Sequence, residues 1–80
     1  MPHLFLNHLV HGILNIDPEG AAFDNLDLAR QECILVAREI ISERIKAGLP
    51  IGSDRFEITD EAGVVLETVR FKDALAEEDR

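Results

Sequence analysis

Three side chains in this sequence titrate near neutrality and are also common metal ligands: His3, His8 and His11. On one continuous strand His3 and His11 would share a face and His8 would point the other way, with His3 and His11 about 25 Å apart at ~3.3 Å per residue. One metal can be shared only if a hairpin folds His8 and His11 together beside Asp17. His8, His11 and Asp17 are therefore weak candidates for a metal or small-molecule site, set against the plainer reading of surface or strand-edge histidines. The lone thiol, Cys33, has the spacing of a core-facing helix residue. It lies about two turns inside its helix, away from the N-terminal amides that would lower its pKa. The acidic pairs Asp60/Glu61 and Glu77/Glu78 read as turn chemistry and a solvating tail. There is no glycine-rich phosphate loop, G-x-S-x-G elbow or H-E-x-x-H helix. No catalytic residue is assigned and no cofactor is expected, so an enzyme reading has no positive support.

Composition narrows the remaining classes. The 80 residues allow one domain, with 46% hydrophobic and 30% charged residues, which is ordinary for a chain that folds. A core of this size is marginal, and without disulfides or metals such domains often recover burial by oligomerising, so a homodimer is expected. Sixteen acidic against eight basic residues give a formal charge of −8, which opposes attraction to nucleic acid or anionic lipid. Arg38, Arg44 and Lys46 are interleaved with Glu39 and Glu43 and read as a solvated helix face. A single cysteine excludes an internal disulfide and fits a reducing compartment, so the expected location is cytoplasmic. The stretch MPHLFLNHLVHGILNID resembles neither a signal peptide nor a membrane span.

The elements that would position these residues follow from pattern. Leu4 to Val10 and Ile13 to Ile16 read as two strands joined at His11-Gly12, or as one bent strand with a bulge at Gly12. Asp17-Pro18-Glu19-Gly20 is a turn, and Ala21-Ala22-Phe23 a linker. Asp24 or Asn25 caps a helix from about Leu26 to Ala47, stopped by Gly48 and Pro50. Leu26, Ala29, Cys33, Val36, Ala37 and Ile40 form its packing stripe, widened by Ile34, Ile41 and Ile45. Arg55 to Thr59 and Val64 to Phe71 are strands joined by Asp60-Glu61-Ala62-Gly63, with Gly63 in the left-handed region. Lys72 onward reads as a frayed turn or a disordered tail. One domain is thus expected over 1–72, with a polar tail over 73–80.

The expected architecture is α+β: a small antiparallel sheet of three to four strands with one long helix packed on one face, in the order β(β)αββ. Such a sheet leaves its second face bare. Leu28 and Leu35 stack on the helix face opposite the main stripe, and Val65, Val69 and Phe71 share one parity of the last strand. These five residues are the candidate interaction surface, because contiguous exposed apolar area marks partner sites.

The order of motifs adds a resemblance. Met1-Pro2, Phe5-Leu6, Asp17 with Gly20, Asn25-Leu26 with Ala29, Ala37-Arg38-Glu39, and Thr59-Asp60-Glu61-Ala62-Gly63 before Val65-Leu66 follow one another as in a small bacterial family known only as a domain of unknown function, abundant in rhizobia and related bacteria. The chain resembles that family over nearly its whole length. The family pattern places a histidine where this chain has Asn7, which weakens a histidine-centred mechanism. The resemblance implies a strand–helix–strand domain and carries over no catalytic or binding residue. The reading that results is a small cytoplasmic, homodimeric protein-interaction or regulatory module without catalytic activity, partnered by itself or another protein, with no membrane role. The alternatives are a nucleic-acid-linked regulator, or a weak metal or small-molecule binder using the N-terminal histidines.

Overall fold

A mostly apolar run with polar interruptions from His3 to Val10 and alternation of polar and apolar side chains from Arg55 to Thr59 supply strands, and the 3.6-residue period between them supplies the helix that packs on their inner face. A computed structural model describes residues 1–75. The elements are β1 (His3–Val10), β2 (Ile13–Asn15), β3 (Ala21–Ala22), α1 (Leu26–Lys46), β4 (Arg55–Thr59) and β5 (Val65–Arg70), followed by a 3₁₀ turn over Phe71–Ala74. The expected α+β class holds: one long helix packs on one face of an antiparallel sheet in the order β2-β1-β4-β5, with β3 also paired to β1.

Local chemistry explains each boundary. His11 and Gly12 both take positive φ, 52° and 76°, so the N-terminal segment is two strands joined by a two-residue turn rather than one bulged strand. Asn25 caps α1, its side chain accepting from the Leu28 N–H at 2.9 Å. At the other end Gly48 takes φ 75°, and the amides of Gly48 and Leu49 reach back to the carbonyls of Ile45 and Arg44, a Schellman closure. In the β4–β5 turn the Asp60 side chain accepts from the amides of Ala62 and Val64, and Gly63 takes φ 83°.

Two segments read as irregular are ordered. Ala21 and Ala22, expected to be linker, pair with Leu4 and His3. Asp73 and Ala74, assigned to the tail, belong to the 3₁₀ turn, and Ala74 is buried. Asp73 accepts from the Arg70 N–H at 3.0 Å, and Arg38 donates to the Ala74 carbonyl at 2.7 Å, so two hydrogen bonds hold the turn in place. The rest of the expected tail, 76–80, including Glu77 and Glu78, lies outside the described residues.

The core lies between α1 and one sheet face. Ala29, Cys33, Ala37 and Ile41 are its buried helix residues, spaced four apart, and three of them are small enough to let the helix approach closely. Against them pack Leu4, Phe56, Ile58, Val69 and Phe71. Ile45, expected on the same stripe, is exposed. A step of four residues advances about 40° beyond a full turn, so a ridge that starts at Ala29 has rotated out of the interface by residue 45.

One short loop substitutes for a missing stretch of ladder. β2 and β3 occupy the two ends of the same edge of β1, and the Leu6 N–H between them donates to the Asp17 carboxylate at 3.2 Å. Asn7 accepts from the Asp17 N–H at 2.9 Å, and Asp17 also accepts from the Gly20 N–H at 3.1 Å. Gly20, at φ 63°, passes so close to β1 that a Cβ there would meet the Leu4 carbonyl oxygen at 2.6 Å. Gly20→Ala is expected to destabilise the domain by about 2 kcal/mol in urea denaturation, whereas Gly12→Ala, with open space around it, should cost less.

Candidate functional site

Asp54 is the structural centre of the polar chemistry. It lies in the segment between α1 and β4 and is 3% exposed, and a buried carboxylate is costly unless it is ion-paired and hydrogen-bonded. Arg44 meets it with a two-pronged guanidinium, Nη1 to Oδ1 at 2.9 Å and Nη2 to Oδ2 at 2.8 Å. His8 Nε2 lies 2.8 Å from the same Oδ2. The Arg44 hydrogen bonds, together with that of His8, hold the Asp54 carboxyl below the usual carboxylate range against the opposing effect of burial. The same bonds raise the Arg44 guanidinium above its ordinary value.

The network is walled by aromatic rings. His8 stacks on Phe56 with ring centroids 4.7 Å apart and on Phe71 at 5.9 Å, and the Arg44 guanidinium carbon sits 5.2 Å from the Phe71 ring centre. Backbone groups complete it: Arg44 also donates to the Ile51 carbonyl at 2.6 Å, and the Phe71 N–H donates to the Asp54 carbonyl at 3.0 Å. Gly52 makes room, since a Cβ there would lie 2.7 Å from Arg44 Nη1. The cluster thus ties the sheet, the last turn of the helix, the connecting segment and the start of the 3₁₀ turn to one carboxylate. No buried side-chain nitrogen or oxygen among the described residues lacks a hydrogen-bond partner.

The weak metal candidates do not come together. His8 is committed to Asp54, His11 is exposed in the β1–β2 turn, and Asp17 is occupied by the amides of Leu6 and Gly20. Among the described residues no group of three or more His, Cys, Asp and Glu side chains is placed to hold an ion. His3 bonds the Glu19 carbonyl at 2.7 Å and fixes the same loop. Cys33 is fully buried, and burial, with a smaller push from the charge of Glu32, raises its thiol to about 12, which leaves it protonated and unreactive at neutral pH.

The candidate interaction residues divide. Leu28, Leu35 and Val65 are exposed, whereas Val69 and Phe71 are core residues, correcting their placement on an open surface. The cause is a register shift: Glu67 pairs with Ile58 but Val65 pairs with Thr59, so Leu66 is inserted and the parity changes. Val69 stays on the helix side with Phe56, and Val65 moves to the outer face with Thr59 and Phe5. Phe71 lies beyond the strand, under His8 and Arg44. On the outer face a cleft of about 280 Å³ lies between Leu14 and Ile16 on one side and Asp60 and Glu61 on the other, with Phe5 and Thr59 also lining it.

A family model described as Domain of unknown function (DUF6894) matches residues 4–72. The chain belongs to this family. No curated protein and no solved structure matched it. The family match runs from the first buried residue of β1 into the 3₁₀ turn, so it includes His8, Arg44, Asp54 and Phe71. In this DUF6894 domain, sequence reasoning placed Arg44 on a solvated face and passed over Asp54. The available signal was angular: Arg44 is seven residues after Ala37, within about 20° of the buried stripe.

Replacing Asp54 by Ala strands a half-buried guanidinium and should cost about 3 kcal/mol in chemical denaturation, with Asp54→Asn milder. Asp54 has a depressed folded-state pKa, so its contribution is complete above the unfolded carboxylate value of about 4 and is lost as pH falls below it. Acid titration of unfolding free energy should show that loss in the natural protein and a shallower slope in Asp54→Asn.

Proposed function

We propose that this DUF6894 domain is a bacterial, cytoplasmic, homodimeric protein-interaction module that acts by association and performs no chemistry of its own. The observation that carries the reading is the uncovered second face of the sheet. Phe5, Leu14 and Val65 lie on that face by strand pairing, Ile16 and Leu66 border it, and no second layer covers it among the described residues, although Leu9 on the same face is buried. Ile16 is 68% exposed and Leu14 48%, values that cost hydrophobic free energy in an isolated domain. A small domain with one thin core gains most from covering such a face.

The polar residues support the same reading. His8 and Arg44 both bond Asp54, Asp17 holds its own loop, and Cys33 is buried, so these groups are occupied by the fold. The charge of −8 favours a protein partner over nucleic acid. No helix among the described residues is long and apolar enough to cross a membrane.

Light scattering coupled to size exclusion across a wide concentration range checks this. The expected result is a species of twice 8.9 kDa that persists on dilution into the micromolar range. A strictly monomeric protein at high concentration would remove the main support for the homodimer.

A further inference from the structure

The outer face of the sheet is not uniform. Toward one end it carries Arg55, Glu57 and Thr68, whereas its exposed apolar side chains gather at the corner where β1 and β2 approach the β4–β5 turn. The cleft of about 280 Å³ lies at that corner, with the exposed Leu14 and Ile16 on one side and the buried Thr59 also lining it. This volume is below the ~300 Å³ at which small-molecule and cofactor pockets begin, and it suits one or two side chains.

The charge around the cleft has one sign. Asp17, Asp60 and Glu61 line it, and no Lys, Arg or His does. Elsewhere the carboxylates of the sheet have cations beside them, Glu57 with Arg55 at 3.5 Å and Glu67 with Arg30 at 3.8 Å. Among the described residues none of the three cleft carboxylates is in an ion pair. Two of them are fixed by backbone: Asp17 accepts from the amides of Leu6 and Gly20, and Asp60 from those of Ala62 and Val64. Neutral amides hold these charges in place without cancelling them, so negative charge stands preorganised beside apolar surface.

We infer that the cleft seats an apolar side chain from a segment of another protein in which Lys or Arg flanks that side chain. The inference rests on the reading of the outer face as a contact surface and goes beyond the homodimer. A second copy is the poorer occupant, because a two-fold axis through the cleft would bring like carboxylates together, and every copy carries −8. Nucleic acid and anionic lipid meet the same repulsion. A basic segment gains twice: its apolar side chain leaves water against Leu14 and Ile16, and its cations face carboxylates that lack a counter-charge.

The probe is acetyl-Lys-Lys-Leu-Lys-Lys-amide, titrated into the natural protein while backbone amide NMR signals are followed. Saturable shifts are expected at Phe5, Ile16 and Glu61. The same peptide with Glu in place of Lys, or Ser in place of Leu, should bind about fivefold more weakly or worse. Glu61→Lys and Ile16→Ser, both at exposed positions, should each weaken binding by about fivefold or more, with the amide spectrum otherwise unchanged. Glu32→Lys on α1 makes the same change in net charge as Glu61→Lys and should leave binding within about twofold, because a distant charge is screened. Equal losses in Glu61→Lys and Glu32→Lys, or no saturable binding, would overturn the inference. Light scattering separates it from the homodimer. A dimer that Ile16→Ser dissociates would place the self-interface in the cleft and overturn this inference alone, whereas a monomer that binds the peptide would overturn the homodimer alone.

Discussion

A carboxylate taken out of water must be surrounded before the fold can tolerate it, and Asp54 sets that condition for this domain. Its two oxygens require donors from two separate elements: the guanidinium of Arg44 in the last helical turn and the imidazole of His8 in the first strand. Meeting both fixes how far α1 extends over the sheet and where the connecting segment must pass. The same segment brings the Asp54 carbonyl to the Phe71 amide, which turns the chain out of β5 and lays Phe71 beneath the cation. Burying this network costs desolvation, and an apolar substitute of equal shape could be as stable. What the network adds is directionality, since its donors fit one placement of helix on sheet, whereas apolar packing alone tolerates sliding.

The helix complements that arrangement by being thin where it touches. Ala29, Cys33 and Ala37 present little bulk, so the larger side chains at the interface come from the sheet and the 3₁₀ turn: Phe56, Ile58, Val69 and Phe71. The division of volume explains why one helix suffices for the inner face. It also explains why Cys33 is conspicuous in sequence yet inert in place, occupied as a small hydrophobe where a larger residue would push the helix away.

Elements whose signals are local were legible in the sequence. The α1 caps, the stop at Gly48 and the β4–β5 turn at Asp60 and Gly63 follow from hydrogen bonds within a few residues, and each lies where those residues predict. Misreadings came where a distant partner decides the outcome. Ala21 and Ala22 have weak strand propensity and become a strand because β1 has a vacant edge beside them. Val65 changes face because of a register shift with no signature in the alternation itself. Asp54 resembles any loop aspartate until Arg44 and His8 arrive from 10 and 46 residues away.

The placement of β1 has a consequence for how this chain is made. β1, made before the other strands of this sheet, lies inside it and pairs through Phe5–Leu9 with β4, whose residues follow the whole helix. Until that strand leaves the ribosome, the apolar side chains of β1 have only the short β2 and β3 beside them. Closure therefore waits on a non-local contact, and such contacts slow folding. The nascent N-terminal half must spend that interval as a helix and an incomplete hairpin in search of a centre, the stage at which chaperones have most to hold.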